Sequence, residues 1–503
     1  MPFKTYIATA GDLKIGGSNP VVIQSMTNTA TLDTLSTVRQ IENLAAAGCQ
    51  MVRISAQNAV EAKNLYNIKK ELRSRGIKIP LVADIHYKPG VAGIAAAIVE
   101  KIRINPGNYI TYSAGQGDDP VSVLEKTAAK LYPLLKICKE NGTAIRVGTN
   151  HGSLSQRILY KYGNTPAGMV FSALEFVDIL RNNNFHNIVV SVKSSDVFTM
   201  IKANRMLVAE MKKRGYLYPV HLGVTEAGAG QSARIKSAAG IGSLLASSTG
   251  DTIRVSLTED PVKEIPFAKQ LVKTFPKTKK HVSKPEFYTP EDKNRLKHTA
   301  PVVISRNPAD GADYHVAGNR NPVNNRGEEL QLKRCNYVPA KGILKLKYNF
   351  RNFDELLILP AVDTTLIAEK KGIAGLWIEN TGNKLTEHTG TIALDILQAL
   401  KLRFSKTEFI ACPSCGRTRF DIMKQLAKVE KALPDLKNVK IAIMGCIVNG
   451  PGEMEGADYG YVGSGKNRVT IFKGKKAVYK NIPQDIALEK LTGLIKSDKK
   501  ENF

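Results

Sequence analysis

The most restrictive feature of this 503-residue chain is an alternation of short β-rich runs with longer helical patterns over its first 276 residues. Apolar or β-branched runs fall at 21–26, 51–55, 81–86, 101–106, 144–150, 187–193, 220–226 and 252–259. Between them lie stretches with apolar residues at helical spacing, such as 33–47 and 196–214, each opened by an Asp suited to capping. Strands separated by helices pair in parallel through right-handed crossovers, and eight such units in about 250 residues match a (β/α)8 TIM barrel. A doubly wound open sheet is the alternative reading of the same pattern.

A barrel of this kind carries its chemistry at the C-terminal ends of its strands. Those ends hold Asn28, Arg53, Asp84, His86, Arg103 and Asn105 in the first half, and Arg146, Asn150, Lys193, His221, Glu226 and Arg254 in the second. Arg53, Arg103, Arg146, Lys193 and Arg254 are five cations from five different strands. Charges inside a barrel are costly without partners. The acidic residues at the same ends are too few to neutralise them, which implies an anionic ligand, and guanidinium forks suit phosphate oxygens. Any one of these arginines taken singly reads as an internal ion pair; the set of five does not. Asp84 and Glu226 read equally as general acids or as partners of the arginines, and His86 and His221 taken alone read as satisfied core histidines.

A second constellation lies near the C-terminus. Cys412-Pro-Ser-Cys415 is followed by Gly445-Cys446-Ile-Val-Asn-Gly-Pro-Gly-Glu453. Thiolates at this spacing hold zinc or an iron–sulfur cluster. Neither His nor Cys follows Cys446, whereas a closed zinc site needs four such ligands. Glu453 is a harder, more labile donor, which favours a cluster with one exchangeable iron over a zinc ribbon or a redox Cys-x-x-Cys pair. Glycines 445, 450, 452 and 456 suit a backbone wrapped closely around such a group. Cys49, Cys138 and Cys335 read as plain thiols.

These motifs resemble those of the 4-hydroxy-3-methylbut-2-enyl diphosphate synthase family, the reductive iron–sulfur enzymes of the methylerythritol phosphate route to isoprenoids. The resemblance extends to Val22-Ile-Gln24-Ser25-Met26-Thr27-Asn28, Ala83-Asp84-Ile-His86, Ile102-Arg103-Ile-Asn105, Arg146-Val-Gly-Thr-Asn150, Ser191-Val-Lys193 and His221-Leu-Gly-Val-Thr225-Glu226. It implies a [4Fe-4S] cluster on Cys412, Cys415, Cys446 and Glu453, with Glu453 displaced by substrate. It further implies 2-C-methyl-D-erythritol 2,4-cyclodiphosphate held by the five cations, with Asn150, Thr225 and Ser256 as additional hydrogen-bonding groups. Asp84, His86 and Glu226 are the candidate proton donors. The C-terminal fold is similar by the same analogy to the small cluster-binding α/β domain of sulfite and nitrite reductases.

Three units follow: a barrel at 1–276, an insert at 277–404 opened by a Lys/Pro-rich linker, and a cluster domain at 405–503. The insert reads as βα fragments too few to close a barrel of their own, and as structural. Within the resembled family a subgroup carries such an insert, and this one, about 128 residues, is short for that subgroup. The two-domain members cap the barrel of one subunit with the cluster domain of another. A homodimer and closure within one chain through the insert are therefore both to be considered, the latter with a hinge at 404–408.

Composition sets the remaining expectations. The net charge of +27 is compatible with nucleic acid, an acidic partner or an anionic substrate, but no segment forms a basic arm, so nucleic acid is not expected. No Gly-x-Gly-x-x-Gly turn for a nicotinamide or flavin appears at a strand-to-helix junction, so electrons are expected from a separate ferredoxin or flavodoxin. No apolar signal core or membrane-length run is present, and six cysteines in so long a chain do not make a disulfide framework, which together suit a cytoplasmic enzyme. A zinc-ribbon protein binding nucleic acid through its basic surface is the competing class; a barrel lyase with a merely structural cluster is another.

Overall fold

The computed structural model describes residues 4–85, 89–109, 120–277, 279, 281–292, 296, 300–317, 320–337, 339, 341–381, 384–447, 454 and 456–501. His86 and Glu453, together with Gly450 and Gly452, lie outside the described residues. Among those described, no helix is long and apolar enough to cross a membrane.

An N-terminal hairpin, β1 (Ile7–Ala10) and β2 (Leu13–Gly16), precedes the barrel and was not foreseen from the sequence. The barrel strands are β3 (Val22–Met26), β4 (Met51–Ala56), β5 (Leu81–Ile85), β6 (Lys101–Ile104), β7 (Ala144–Asn150), β8 (Ile188–Lys193), β9 (His221–Leu222) and β10 (Thr252–Ile253). They form one parallel sheet in the order β8-β7-β6-β5-β4-β3-β10-β9, and a parallel bridge between Val190 and Val220 closes it. The expected runs at 220–226 and 252–259 are each only two residues of strand. Beyond them the backbone leaves the ladder to form the loops that carry Thr225, Glu226 and Ser256. The run at 101–106 likewise ends at Ile104, and Pro106–Tyr109 is a short helix.

The period-two alternation of a strand sorts the barrel interior into layers. At the N-terminal end Val22, Met51, Val82 and Val189 pack on Ala8, Ala10 and Ile15, so the hairpin plugs that end. One step along the same faces stand Gln24, Arg53, Asp84 and Ser191, all at the polar end of the barrel. Apolar residues dominate the floor, where the fully buried Lys101, in register with Val82, is an exception, and the other charges gather at the mouth.

The insert builds a seven-stranded sheet. Its centre is parallel, with β12 (Val302–Ser305) and β16 (Lys341–Tyr348) flanking β17 (Gly372–Asn380). The outer strands are β11 (Glu286–Pro290), β13 (Tyr314–His315), β14 (Val323–Asn324) and β15 (Leu332–Cys335). The apolar run 356–360 lies within one helix, Phe353–Ala368, with Pro360 inside it. That helix and Thr389–Ala399 share a continuous apolar core with the barrel, to which Leu356, Val362, Ile392 and Ala393 contribute. A methyl on Gly242, in the short π-helical segment Ala238–Gly242, would stand 2.6 Å from Val362, so glycine permits the close seating of the insert on the barrel.

The C-terminal sheet runs β18 (Glu408–Ala411), β19 (Lys440–Met444), β20 (Tyr459–Gly465), β21 (Arg468–Lys473) and β22 (Lys476–Pro483), the first three parallel. Helices Ile422–Ala432 and Gln484–Glu501 cover it through Leu426, Val429, Leu491 and Ile495. The first helix starts four residues later than the pattern from Thr418 suggested, where Asp421 caps it by accepting from the Lys424 N–H.

Candidate functional site

Two adjacent parallel strands end in the cysteine loops: β18 runs into Cys412 and β19 into Gly445-Cys446. The Gly445 N–H donates to the Cys412 sulfur at 3.2 Å, so the backbone already solvates one thiol. Space here is tight. A methyl on Gly445 would meet Thr418 at 2.8 Å, and one on Gly463 would meet the Gly445 carbonyl oxygen at 2.5 Å.

The cysteine loop lies on the barrel mouth. Thr258 donates its hydroxyl to the carbonyl oxygens of Ala411 and Cys412, at 3.2 and 3.3 Å. A methyl on Gly416 would stand 2.9 Å from the Thr29 carbonyl oxygen. Between the loop and the barrel is a cavity open to solvent. Arg53, Asp84, Arg103, Arg146, Asn150 and Lys193 line one side, with Thr225, Glu226, Arg254 and Ser256; Cys412, Cys415 and Cys446 line the other. Residues some 160 to 390 positions apart in the chain thus share one cavity.

The cations are not equivalent. Arg254 pairs with Glu264 at 3.1 Å, both side chains being almost wholly buried. Arg103 reaches Asp84 at 3.3 Å and the Gly148 carbonyl oxygen at 2.9 Å. For these two the internal ion pair holds, and Glu264 corrects the view that acidic partners were lacking; it sits in the helix after the strand rather than at a strand end. Arg53 donates to the Met26 sulfur at 3.0 Å, and burial pushes its pKa down to about 10. Arg146 donates to Ser191 at 2.8 Å while its Nε and one terminal nitrogen are buried without a partner. Burial and then the neighbouring arginines push Arg146 and Lys193 well below their ordinary values. A site that so disfavours its own positive charges is relieved by an anion.

Three expected ligand-binding residues stand behind the wall. His221 is fully buried, its Nε2 lying 3.0 Å from Lys193 Nζ and its Nδ1 3.3 Å from Thr252 Oγ1. Burial first, and then Lys193, depress its pKa well below the usual range, so it stays neutral and props Lys193. Asn28 is tied to Gln40, which donates to its side-chain oxygen at 2.6 Å. Asn105 donates to Ser153 at 3.0 Å and accepts from the Gly107 N–H at 3.1 Å.

Glu226 lines the cavity with a backbone φ of 48°, the left-handed region that a non-glycine residue seldom occupies. Strain held at a cavity wall is a mark of function. Arg417 carried no expected role. It lines the same cavity and reaches Asp84 at 3.5 Å. Its position two residues after Cys415 was the available signal, because a residue on a ligand loop faces what the loop faces.

The donor set fits an iron–sulfur group: three soft thiolates from two strand ends, spread round a roomy wall. Among the described residues no three ligating side chains converge on a single ion.

Comparison with known proteins agrees with both halves. Residues 5–269 match the family model described as the GcpE TIM-barrel domain, and 408–497 that of the GcpE protein C-terminal domain. A 4-hydroxy-3-methylbut-2-en-1-yl diphosphate synthase (flavodoxin) of Parabacteroides distasonis is 39% identical, with 98% of each chain covered. The synthase of the same name from Akkermansia muciniphila is 39% identical over 97% of this chain and 95% of its own. That of Leptospira interrogans is 36% identical over 98% and 96%. The alignment with the Parabacteroides protein spans 601 positions against 503 residues here, so that relative carries about a hundred residues this chain lacks.

Proposed function

The chain belongs to the GcpE family of 4-hydroxy-3-methylbut-2-en-1-yl diphosphate synthases, and from that premise we propose how its own residues carry the reaction. It is an iron–sulfur oxidoreductase of isoprenoid biosynthesis, which removes the zinc-ribbon reading. The substrate is the cyclic diphosphate 2-C-methyl-D-erythritol 2,4-cyclodiphosphate. Two electrons and two protons are taken up, a ring C–O bond opens, one water leaves, and 4-hydroxy-3-methylbut-2-enyl diphosphate results.

The observation that carries the assignment of residues is the single cavity with barrel cations on one wall and three thiols on the other. Cys412, Cys415 and Cys446 hold a [4Fe-4S] cluster, with Glu453 as the exchangeable fourth ligand expected from the sequence. When bound, the cluster supplies the electrons and a Lewis-acidic iron toward the substrate oxygen. Arg146 and Lys193 bind the diphosphate most directly, because both line the cavity and neither has an acidic partner among the ion pairs of the barrel mouth. Arg53, Arg103 and Arg254 complete the field, and Asn150, Thr225 and Ser256 orient the diphosphate by hydrogen bonds. Asp84, held between Arg103 and Arg417, orients those cations. Glu226 is then the carboxyl on the wall that delivers a proton to the departing hydroxyl. His221 positions Lys193 rather than touching substrate. The electron donor is a flavodoxin.

The first test is anaerobic purification with iron and sulfide counts and a visible spectrum, on the wild type and on Cys446→Ser. Roughly four irons per chain, with a broad visible band that the variant loses, is the expected result. Product formation is then followed by mass spectrometry on adding the cyclodiphosphate. Zinc without iron would overturn the reading and leave only an anion-binding barrel.

A further inference from the structure

An electron carrier must approach the thiols from a side that the barrel leaves open. On the barrel side the loop is closed in by Thr258 and by the seating of Gly416 on Thr29. On the other side, the C-terminal end of the sheet continues into the tip of the β20–β21 hairpin, residues 465–468. Met444 is in register with Val462, and the next residue, Gly445, lies against Gly463, so this tip stands beside Cys446. The backbone locks it there: Arg419 N–H donates to the Gly445 carbonyl oxygen at 2.9 Å, and Asn467 N–H reaches that of Arg419 at 3.5 Å.

The surface so formed has a definite character. Ile447, directly after Cys446, is 50% exposed. Arg419, Lys466 and Arg468 are exposed around the same end of the sheet. Of the carboxylates nearby, Asp421 accepts from the Lys424 N–H at 3.0 Å as a helix cap, and Glu61 of the barrel helix Ala59–Ser74 feels the charge of Arg419. An apolar centre with a cationic rim is the pattern of a transient protein interface, and its charge selects an acidic partner.

We propose that this face, formed by Arg419, Ile447, Lys466 and Arg468, is where an acidic, flavin-carrying electron carrier docks; the inference rests on the function proposed above. The carrier named with the relatives is flavodoxin. Docking here places the carrier against the loop of Cys446, and none of these four residues lines the cavity between that loop and the barrel. Electron entry and substrate entry then do not compete for one opening.

The test uses the anaerobically prepared holoenzyme and the double variant Arg419→Glu, Lys466→Glu, driven either by reduced flavodoxin or by dithionite. The expected result is a rise of roughly tenfold or more in KM for flavodoxin and a loss of the salt dependence of its on-rate. Iron content and dithionite-driven turnover stay within about twofold of wild type. An unchanged KM for flavodoxin overturns the proposal, and so does a loss of equal size with both reductants, which would place these residues in the site itself. If the unsubstituted enzyme turns over with neither reductant, the proposed function itself fails, and the two failures are told apart on the wild type.

Discussion

At the scale of single residues, the barrel mouth is built against its own stability in favour of a ligand. Arg146 is 1% exposed and has two nitrogens without partners, in a field of like charges. Arg146→Met should therefore raise the melting temperature of the ligand-free protein, by roughly 2–6 °C, while abolishing the further rise that inorganic pyrophosphate gives the wild type. Melting curves with and without pyrophosphate check both signs; a variant that melts lower in its absence would refute the account. The pH dependence follows from the same cause. Lys193 and His221 have folded pKa values pushed down, so from the folded value up to the ordinary one the unfolded chain binds more protons. Stability of the ligand-free protein is thus expected to rise with pH across that window, and less so with pyrophosphate bound. Much of this was legible in the sequence, because five cations at five strand ends are visible in the pattern. Glu264 and Arg417 were not, since each enters from a neighbouring helix or loop whose position only tertiary packing decides. Asn28, Asn105 and His221 show the converse: a strand-end position does not tell the wall from the layer that props it.

At the scale of elements, alternating runs revealed the barrel because period two and period 3.6 are easily separated in strands and helices of full length. The last two strands were overestimated, since an apolar run does not report where ladder pairing stops. The insert was harder. Its helix Phe353–Ala368 is apolar on nearly all sides, being packed between the sheet and the barrel, and such a run with a proline inside cannot be told from a strand by periodicity. The most consequential small element is the loop 412–418, whose seating depends on a glycine. Gly416→Val should prevent the loop from lying on the barrel, where a methyl would already be 2.9 Å from the Thr29 carbonyl oxygen. Turnover is expected to fall about a hundredfold or more, the cost of misplacing reacting groups by an ångström, with iron content kept. Iron analysis beside an activity assay decides it: loss of iron in proportion to activity would mean that the loop serves the cluster and not the docking.

At the scale of the whole molecule, both halves of the site come together within one chain. The insert's helix end binds Ser405 and Lys406 through Gln398, whose side-chain oxygen accepts from both backbone N–H groups at 3.0 and 3.2 Å. The next residue, Thr407, is already tied to the cluster domain, donating to the Leu433 carbonyl oxygen. A hinge within the expected span 404–408 would therefore have to turn at the link between Lys406 and Thr407. Around it lie Lys236–Glu408 at 3.5 Å, Lys406–Asp395 at 2.6 Å and Lys401–Asp196 at 2.8 Å. Mixing an Arg146→Met chain with a Cys446→Ser chain should restore no activity, because neither variant offers the other a complete site. Recovery toward a quarter of wild-type turnover in an assembled mixture would instead show that the cluster domain serves a neighbouring subunit. The split wall has one more consequence. Were the half that belongs to the cluster domain to swing about the link between Lys406 and Thr407, the measured dissociation constant would equal the intrinsic one divided by the closed fraction. Affinity for the cyclodiphosphate would then be adjustable from the ion pairs around the link, with every residue that touches the substrate left unchanged.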